Sequence, residues 1–299
     1  MLDKVINYGP KTLGMSLKMQ PSKKQWRLLE IERPEDPYYN LAVEEAVARA
    51  VGEGIAPMTL RFWRNDNAIV IGAFQCVSLE IRLDECIKYG IKVVRRFTGG
   101  GAVYHDIRNL NYAVSFRRPS PIPGDDVLSG YRAVGEAVIA GLEKLGARAE
   151  FIPVNDIQVR GRKISGMAGT LTKDLLFIHG CLLVGSNIEI LSRVLNVPRE
   201  KLEAKGAGSV RARVTTLRDE LNREITMDEV KKALLKGFEE VFGAEFALGE
   251  LTSWEKNKAE ELYRNKYLTI EWNLGPCRGC PDRGKDEAIL RRVGLAGGD

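Results

Sequence analysis

The chain has 299 residues, 44% of them hydrophobic, enough for one large core or two modest ones. Lys plus Arg exceeds Asp plus Glu by 45 to 40, and the net charge of +5 suits an anionic substrate or an acidic protein partner. It falls short of the dense basic footprint of a nucleic-acid binder, no apolar run approaches the roughly 18 residues of a membrane span, and Met1 to Lys24 lacks the apolar stretch of a secretory signal.

In chain order, residues 1 to 24 read as a loose leader, and Trp26 opens a compact region. Tyr38 to Val51 places Tyr39, Val43, Val47 and Ala50 near helical spacing, with acids on another face. Leu60 to Trp63 and Ile69 to Phe74 read as two strands joined by the turn Arg64-Asn65-Asp66-Asn67. A short helix is expected over Leu83 to Tyr89, then strands over Ile91 to Arg95, Ala102 to Tyr104 and Tyr112 to Phe116. After Pro119 to Gly124 breaks the chain, Val127, Tyr131, Val134, Val138, Leu142 and Leu145 recur at steps of three and four, an amphipathic helix that ends at Gly146. Strands follow over Ile157 to Val159, Lys163 to Thr170 and Leu175 to Val184, then helices over Ile188 to Leu195, Met227 to Phe242 and Ser253 to Tyr267. Thr226 and Glu229 have capping-box spacing for the second of these. Strands in hairpins mixed with separate helices indicate an α+β fold, mixed and antiparallel sheets packed with helices, rather than βαβ alternation. One domain over residues 25–275 and a tail over 276–299 are expected.

Three segments carry candidate chemistry. In VVRRFTGGGAVYHD (Val93 to Asp106) a strand delivers Arg95 and Arg96, and Gly99, Gly100 and Gly101 then remove every Cβ, so that main-chain N–H groups can approach a ligand. Adjacent guanidiniums offer planar forks to phosphate oxygens. A nucleotide or acyl-phosphate site is one reading and a glycine-rich hairpin with solvated arginines the other; the pattern is neither Walker A nor Gly-x-Gly-x-x-Gly. In NDIQVRGRKISGMAG (Asn155 to Gly169) a turn at Arg160-Gly161-Arg162 precedes Lys163, and Ser165, Gly166, Ala168 and Gly169 leave room beside that lysine. Lys163 is either a fixed ammonium neutralising a phosphate and a carboxylate or a surface lysine after a turn. In FIHGCLLV (Phe177 to Val184) lies His179; with His105 it makes up the chain's whole histidine content, and a hydrogen-bonded structural role is its plainer reading. Neither histidine sits in a zinc-ligand pattern.

Together these segments resemble the lipoate–protein ligase A family, within the biotin/lipoate protein ligase fold group. RRFTGGGAVYHD is similar to the family's Arg-Arg-x-x-Gly-Gly-Gly-Ala-Val-aromatic-His-Asp, and NDI…GRKISGMAG to its Asn-Asp and Lys-(Ile/Val)-Ser-Gly segments. FIHGCLLV is similar to His-Gly-Thr-Leu-Leu with Cys181 in the threonine position, and Lys201 to Leu217 to Lys-Gly-x-x-Ser-Val-Arg-x-Arg-Val-Thr-x-Leu. The resemblance runs from about Trp26 to Gly275. It implies a biotin/lipoate protein ligase-like catalytic domain that adenylates lipoate with ATP and Mg2+ and passes the lipoyl group to a carrier lysine. Arg95, Arg96, Gly99, Gly100, Gly101, Ala102, Val103, Tyr104, Asn155, Asp156, Lys163 and His179 would bind ATP and lipoyl-AMP. Lys163 would be the catalytic residue and Asp156 a metal ligand. The implied partners are the apo lipoyl domain of an E2 or the glycine cleavage H protein. Family members with a fused accessory domain continue well past Trp-Asn-x-Gly, here Trp272 to Gly275, so a separate accessory subunit is also expected.

The rival within the fold is an octanoyltransferase working through a cysteine thioester, for which Cys181 would be the nucleophile. A non-catalytic lipoyl- or carrier-binding protein is the rival of another class. Five cysteines, an odd number without framework spacing, point to a reducing cytoplasm rather than a disulfide-stapled secreted fold. Cys76 and Cys86 read as structural. Cys277-Arg-Gly-Cys280 is one Cys-x-x-Cys pair, too few ligands for a zinc site unless others join it, and the leading expectation for it is no function.

Overall fold

The computed structural model describes residues 24–196 and 213–296. The leader and most of the Lys201 to Leu217 segment therefore lie outside the described residues. In chain order the elements are β1 (Lys24–Leu29), α1 (Pro37–Gly52), β2 (Thr59–Trp63), β3 (Ala68–Ile71), α2 (Val77–Glu80), α3 (Leu83–Lys88), β4 (Lys92–Arg95), β5 (Val103–His105) and β6 (Asn109–Arg117). Next come α4 (Val127–Lys144), β7 (Glu150–Ile152), β8 (Asp156–Val159), β9 (Arg162–Leu171), β10 (Leu175–Leu183), α5 (Ile188–Val194), α6 (Leu217–Leu221) and α7 (Met227–Phe242). The chain closes with β11 (Ala244–Leu248), α8 (Ser253–Leu262), a π-helical turn (Tyr263–Tyr267), α9 (Ile270–Leu274) and α10 (Arg283–Ala296). Mixed sheets packed with helices make this an α+β fold. No helix among the described residues is long and apolar enough to cross a membrane.

Eight strands form one sheet in the order β11-β1-β2-β6-β10-β9-β8-β7, and β4-β3-β5 form a second. The period-2 alternation of the large sheet sorts its side chains onto two faces. Leu60, Phe62, Leu110, Tyr112, Val114, Ile178 and Leu182 pack with Val134, Val138 and Leu142 of α4 and Val230, Leu234 and Phe238 of α7 in the main core. On the other face Trp63, Ala113 and Phe177 meet Ala48 of α1.

Asp36 starts α1, accepting from Tyr39 N at 3.1 Å, with Pro37 pre-set for the first turn. Asp126 caps α4 through Leu128 N and Ser129 N, and Thr226 caps α7 through Glu229 N. The acids of α1 do not face solvent. Thirteen of its 16 residues are buried, because it lies between the sheets and α8, and Glu44 and Glu45 are among them. Glu45 meets Lys266, Tyr267 and Arg49.

The Arg64–Asn67 segment joins two strands, as expected, but they enter different sheets. β2 and β3 do not pair across the Arg64–Asn67 turn: β2 lies between β1 and β6, and β3 between β4 and β5. Both strands are buried at every residue, so each needs neighbours on both edges and cover on both faces, which one hairpin could not provide.

Candidate active site

The two arginines at the end of β4 diverge. Arg95 points away from the sheet junction and donates to Trp272 O at 2.8 Å, Gly72 O at 3.1 Å, Gln75 O at 2.6 Å and Gly275 O at 3.0 Å. Arg96 stays with the glycine loop and donates to Gly99 O at 2.6 Å, Gly101 O at 2.9 Å and Val70 O at 3.2 Å. Burial brings its pKa down to about 10, with Glu44 opposing, so it remains charged at neutral pH. The loop lies directly on Gly72: a Cβ there would stand 2.2 Å from Gly100 O, and Gly100 itself has φ +90.

A buried relay ties this loop to α1 and β10. His179 Nδ1 is 2.7 Å from Glu44 Oε1, and its Nε2 is 2.7 Å from Thr98 Oγ1. Thr98 in turn accepts from Arg96 Nε at 3.2 Å. His179 thus positions the loop through Thr98.

Lys163 reaches the site through a bulge. Arg160 and Gly161, both at positive φ, close a two-residue hairpin between Val159 and Arg162. The register then slips, pairing Gln158 with Lys163 but Ile157 with Ser165. The extra residue resets the alternation, so Lys163 and Gly166, which regular pleating would send to opposite faces, come together. A Cβ on Gly166 would lie 2.5 Å from Lys163 Nζ, so the small residues after this lysine make room for its own ammonium. That ammonium is 2.5 Å from Asp156 Oδ1, and Arg213 Nη2 is 3.4 Å from Asp156 Oδ2.

Some of these groups border a cavity of about 220 Å3 between the two sheets. Arg96, Gly101, Ala102, Val103, Asn155, Lys163, His179 and Cys181 line it; Arg95, Gly99, Gly100, Tyr104 and Asp156 do not. Leu183, Leu191, Leu195 and Val214 give part of its wall an apolar character, while Lys163 and Arg213 keep partial access to solvent.

Three lining residues outside the expected set carry buried polar atoms that face no partner among the described residues: Trp63 Nε1, His105 Nε2 and Asn111 Nδ2. Trp63, Asn111 and Cys181 are cross-strand neighbours in one row of β2, β6 and β10, which runs on through Gly166 of β9 to Asp156 of β8. The His105 tautomer follows from its neighbours: Asn40 donates to Asn65 Oδ1 at 2.9 Å, so the Asn65 amide nitrogen faces His105 Nδ1 at 3.1 Å and leaves the proton on Nε2. Burial, aided by Arg96 and His179, drives the His105 pKa down to about 3, so it is a neutral donor. Cys181 lies in the same wall, accepts from Asn109 Nδ2 at 3.2 Å, and is pushed up to about 12 by burial.

A divalent cation does not fit on Asp156 in this arrangement, since an ammonium and a guanidinium already face its two oxygens. The arrangement can hold an acid against Lys163 and present anionic oxygens to paired cations and neutral donors in a partly dry cleft.

A family model described as the lipoyl protein ligase A/B catalytic domain matches residues 36–239. Lipoate-protein ligase A subunit 1 of Thermoplasma acidophilum is 40% identical over 262 residues, which span 84% of this chain and 97% of that protein. Octanoyltransferase LipM of Brevibacillus brevis is 32% identical over 274 residues, 84% of this chain and 99% of that protein. Among solved structures, a bipartite lipoate protein ligase from T. acidophilum, described with its E2 lipoyl domain, superposes with a TM-score of 0.76 at 38% identity, covering 85% of this chain and 98% of that one. Lipoate-protein ligase A bound with ATP gives 0.74 at 36% identity over 83% and 98% of the two chains. A T. acidophilum protein with bound lipoic acid gives 0.73 at 35% identity over 84% and 100%.

Proposed function

Because the chain belongs to the lipoyl protein ligase A/B catalytic family, we propose that it is a lipoate–protein ligase that activates lipoate with ATP and passes the lipoyl group to a lysine of a lipoyl carrier domain. The observation that carries this reading is the convergence of Arg96 and Lys163, 67 positions apart in sequence, on one cavity with apolar walls. The lipoate carboxylate attacks the α-phosphorus of ATP, giving lipoyl-AMP and pyrophosphate. Lys163 neutralises the charge that grows on the shared oxygens, and Asp156 holds its ammonium over Gly166. Arg96 and Thr98 keep the glycine loop in place, so the gain comes from positioning in a pre-set cleft. The carrier lysine then attacks the mixed anhydride and AMP leaves. No enzyme nucleophile is required.

An E2 lipoyl domain or the glycine cleavage H protein is the acceptor in this reading. A separate accessory subunit assists adenylation; the relatives described as a ligase subunit 1 and as a bipartite ligase support that partner. The test incubates the pure chain with lipoate, ATP and magnesium, and an apo lipoyl domain, with and without such a subunit, and reads the carrier by mass. One lipoyl group gained, and lost in Lys163→Ala, is the expected result. An unmodified carrier with no AMP formed under either condition overturns it.

Octanoyl transfer through Cys181 is the second reading, favoured by the place of this thiol in the cavity wall and by the octanoyltransferase relatives. A thiol raised to about 12 is almost wholly protonated at neutral pH and is a poor nucleophile until something lowers it. Octanoylated Cys181 formed from an octanoyl carrier without ATP would establish this alternative.

A further inference from the structure

We propose that Cys76, Cys277 and Cys280 are ligands of a single zinc ion that fastens the C-terminal helix α10 behind the glycine loop. Their ligand atoms all lie within 4.8 Å of one another, although Cys76 is 201 residues from Cys277. Cys76 and Cys280 are joined as a disulfide in the structure, and Cys277 Sγ is 3.7 Å from Cys76 Sγ. Tetrahedral thiolates about 2.3 Å from zinc stand roughly 3.8 Å apart, which the Cys76–Cys277 spacing already meets. Beside the disulfide, the Cys277 thiol donates to Phe74 O at 3.1 Å; a metal would employ all three sulfurs.

The local backbone suits the ion. Cys280 N donates to Cys277 O at 3.1 Å, and Gly279 has φ +77, so the Cys-x-x-Cys segment is a tight turn that brings both sulfurs to one side. Asp286 stands beside the cluster, outside the set of mutually close ligand atoms. Asp286, fully buried in the first turn of α10, has Oδ2 at 3.5 Å from Cys280 Sγ while accepting from Val77 N at 3.0 Å and Ser78 N at 2.9 Å. Three thiolates exceed the charge of one zinc ion by one, and the Arg95 guanidinium is the nearby cation that offsets it.

Energetics also favour a crosslink. Cys277 is buried and Ile289 of α10 packs on the core beside α2, and a crosslink at the cluster would add to these contacts. Small elements that lack a core are commonly held by metals. The position is structural rather than catalytic: none of the three cysteines lines the cavity, and Cys76 follows Gly72 and Gln75, the segment on which the glycine loop and Arg95 rest. The disulfide is then the oxidised, metal-free form of the same cluster. Two low-molecular-weight thiols reduce it, giving two cysteine thiols and one reagent disulfide, and zinc displaces the three thiol protons.

The test uses the full chain, purified without oxygen and with a phosphine reductant, and measures zinc by mass spectrometry. About one zinc per chain is expected, falling at least fivefold in Cys277→Ser but not in Cys86→Ser, whose sulfur lies outside the cluster. Cobalt replacing zinc in the unmutated chain should give a thiolate-to-metal charge-transfer band, a readout that survives any misfolding of the variants. Reduced chain that takes up neither zinc nor cobalt overturns the proposal, as does full zinc content in folded Cys277→Ser.

Discussion

At the scale of single residues, the site depends on where one ammonium can rest. Gly166 is the platform for Lys163, and the clash a methyl group would cause is with the far end of a flexible chain rather than with backbone. Gly166→Ala is therefore expected to lower carrier modification at least tenfold while thermal unfolding moves by only a few degrees; equal activity would show that the ammonium works from elsewhere. His105 gives a second expectation, in pH. Its folded pKa is depressed to about 3, below the ordinary histidine value of about 6.5, so the unfolded chain is the better proton acceptor. The stability this neutral imidazole contributes is complete above about pH 6.5 and is lost as pH falls toward 3, at a limiting slope of about 1.4 kcal/mol per pH unit. Denaturant titrations between pH 5 and 7.5 should show this slope, and His105→Gln should flatten it. An identical pH dependence in the variant would mean that His105 does not carry the effect.

At the scale of elements, the Glu44–His179–Thr98–Arg96 relay joins α1, β10 and the glycine loop. Thr98→Val leaves the His179 Nε2 without its partner, while Arg96 Nε keeps Gly99 O at 3.0 Å, and about 1–3 kcal/mol of stability should go with it. Because the loop shifts too, KM for the nucleotide should rise more than kcat falls; a pure stability loss would make the relay only scaffolding. Much at this scale was legible in the sequence. The helices α4 and α7 were readable because apolar residues recur at three and four, and the Arg-Arg and Gly-Gly-Gly run because few ordinary loops need both. The separation of β2 from β3 was not, since two short buried strands look alike whichever sheet takes them. Trp63 and Asn111 were hidden for a related reason: alternation says which side chains share a face, not which face meets a cavity. The bulge that brings Lys163 to Asp156 depends on pairing with β8, which no local pattern records. Arg95 and Arg96 are neighbours in sequence, yet four surrounding carbonyls turn the first away. The meeting of Cys76 with Cys277 and Cys280 across 201 and 204 residues was equally invisible.

At the scale of the whole molecule, the closing elements are held to the opening ones by charge. Arg27 of β1 meets Glu255 of α8 at 2.5 Å, with both side chains buried, and Glu255 also closes a capping box with Thr252. Removing one partner strands the other inside the protein, so Glu255→Ala should cost about 3–5 kcal/mol in denaturant unfolding. A loss below 1 kcal/mol would mean that water reaches Arg27. The same ends meet in the large sheet, where β1 lies parallel between β2 and β11. β1 ends at Leu29 and β11 begins only at Ala244. On a ribosome adding about 5–20 residues per second, the interval between them is roughly 10–40 s. For that time the nascent chain carries a bare strand edge able to bond with a neighbouring nascent chain, so chaperone demand should concentrate late in translation, before β11 emerges.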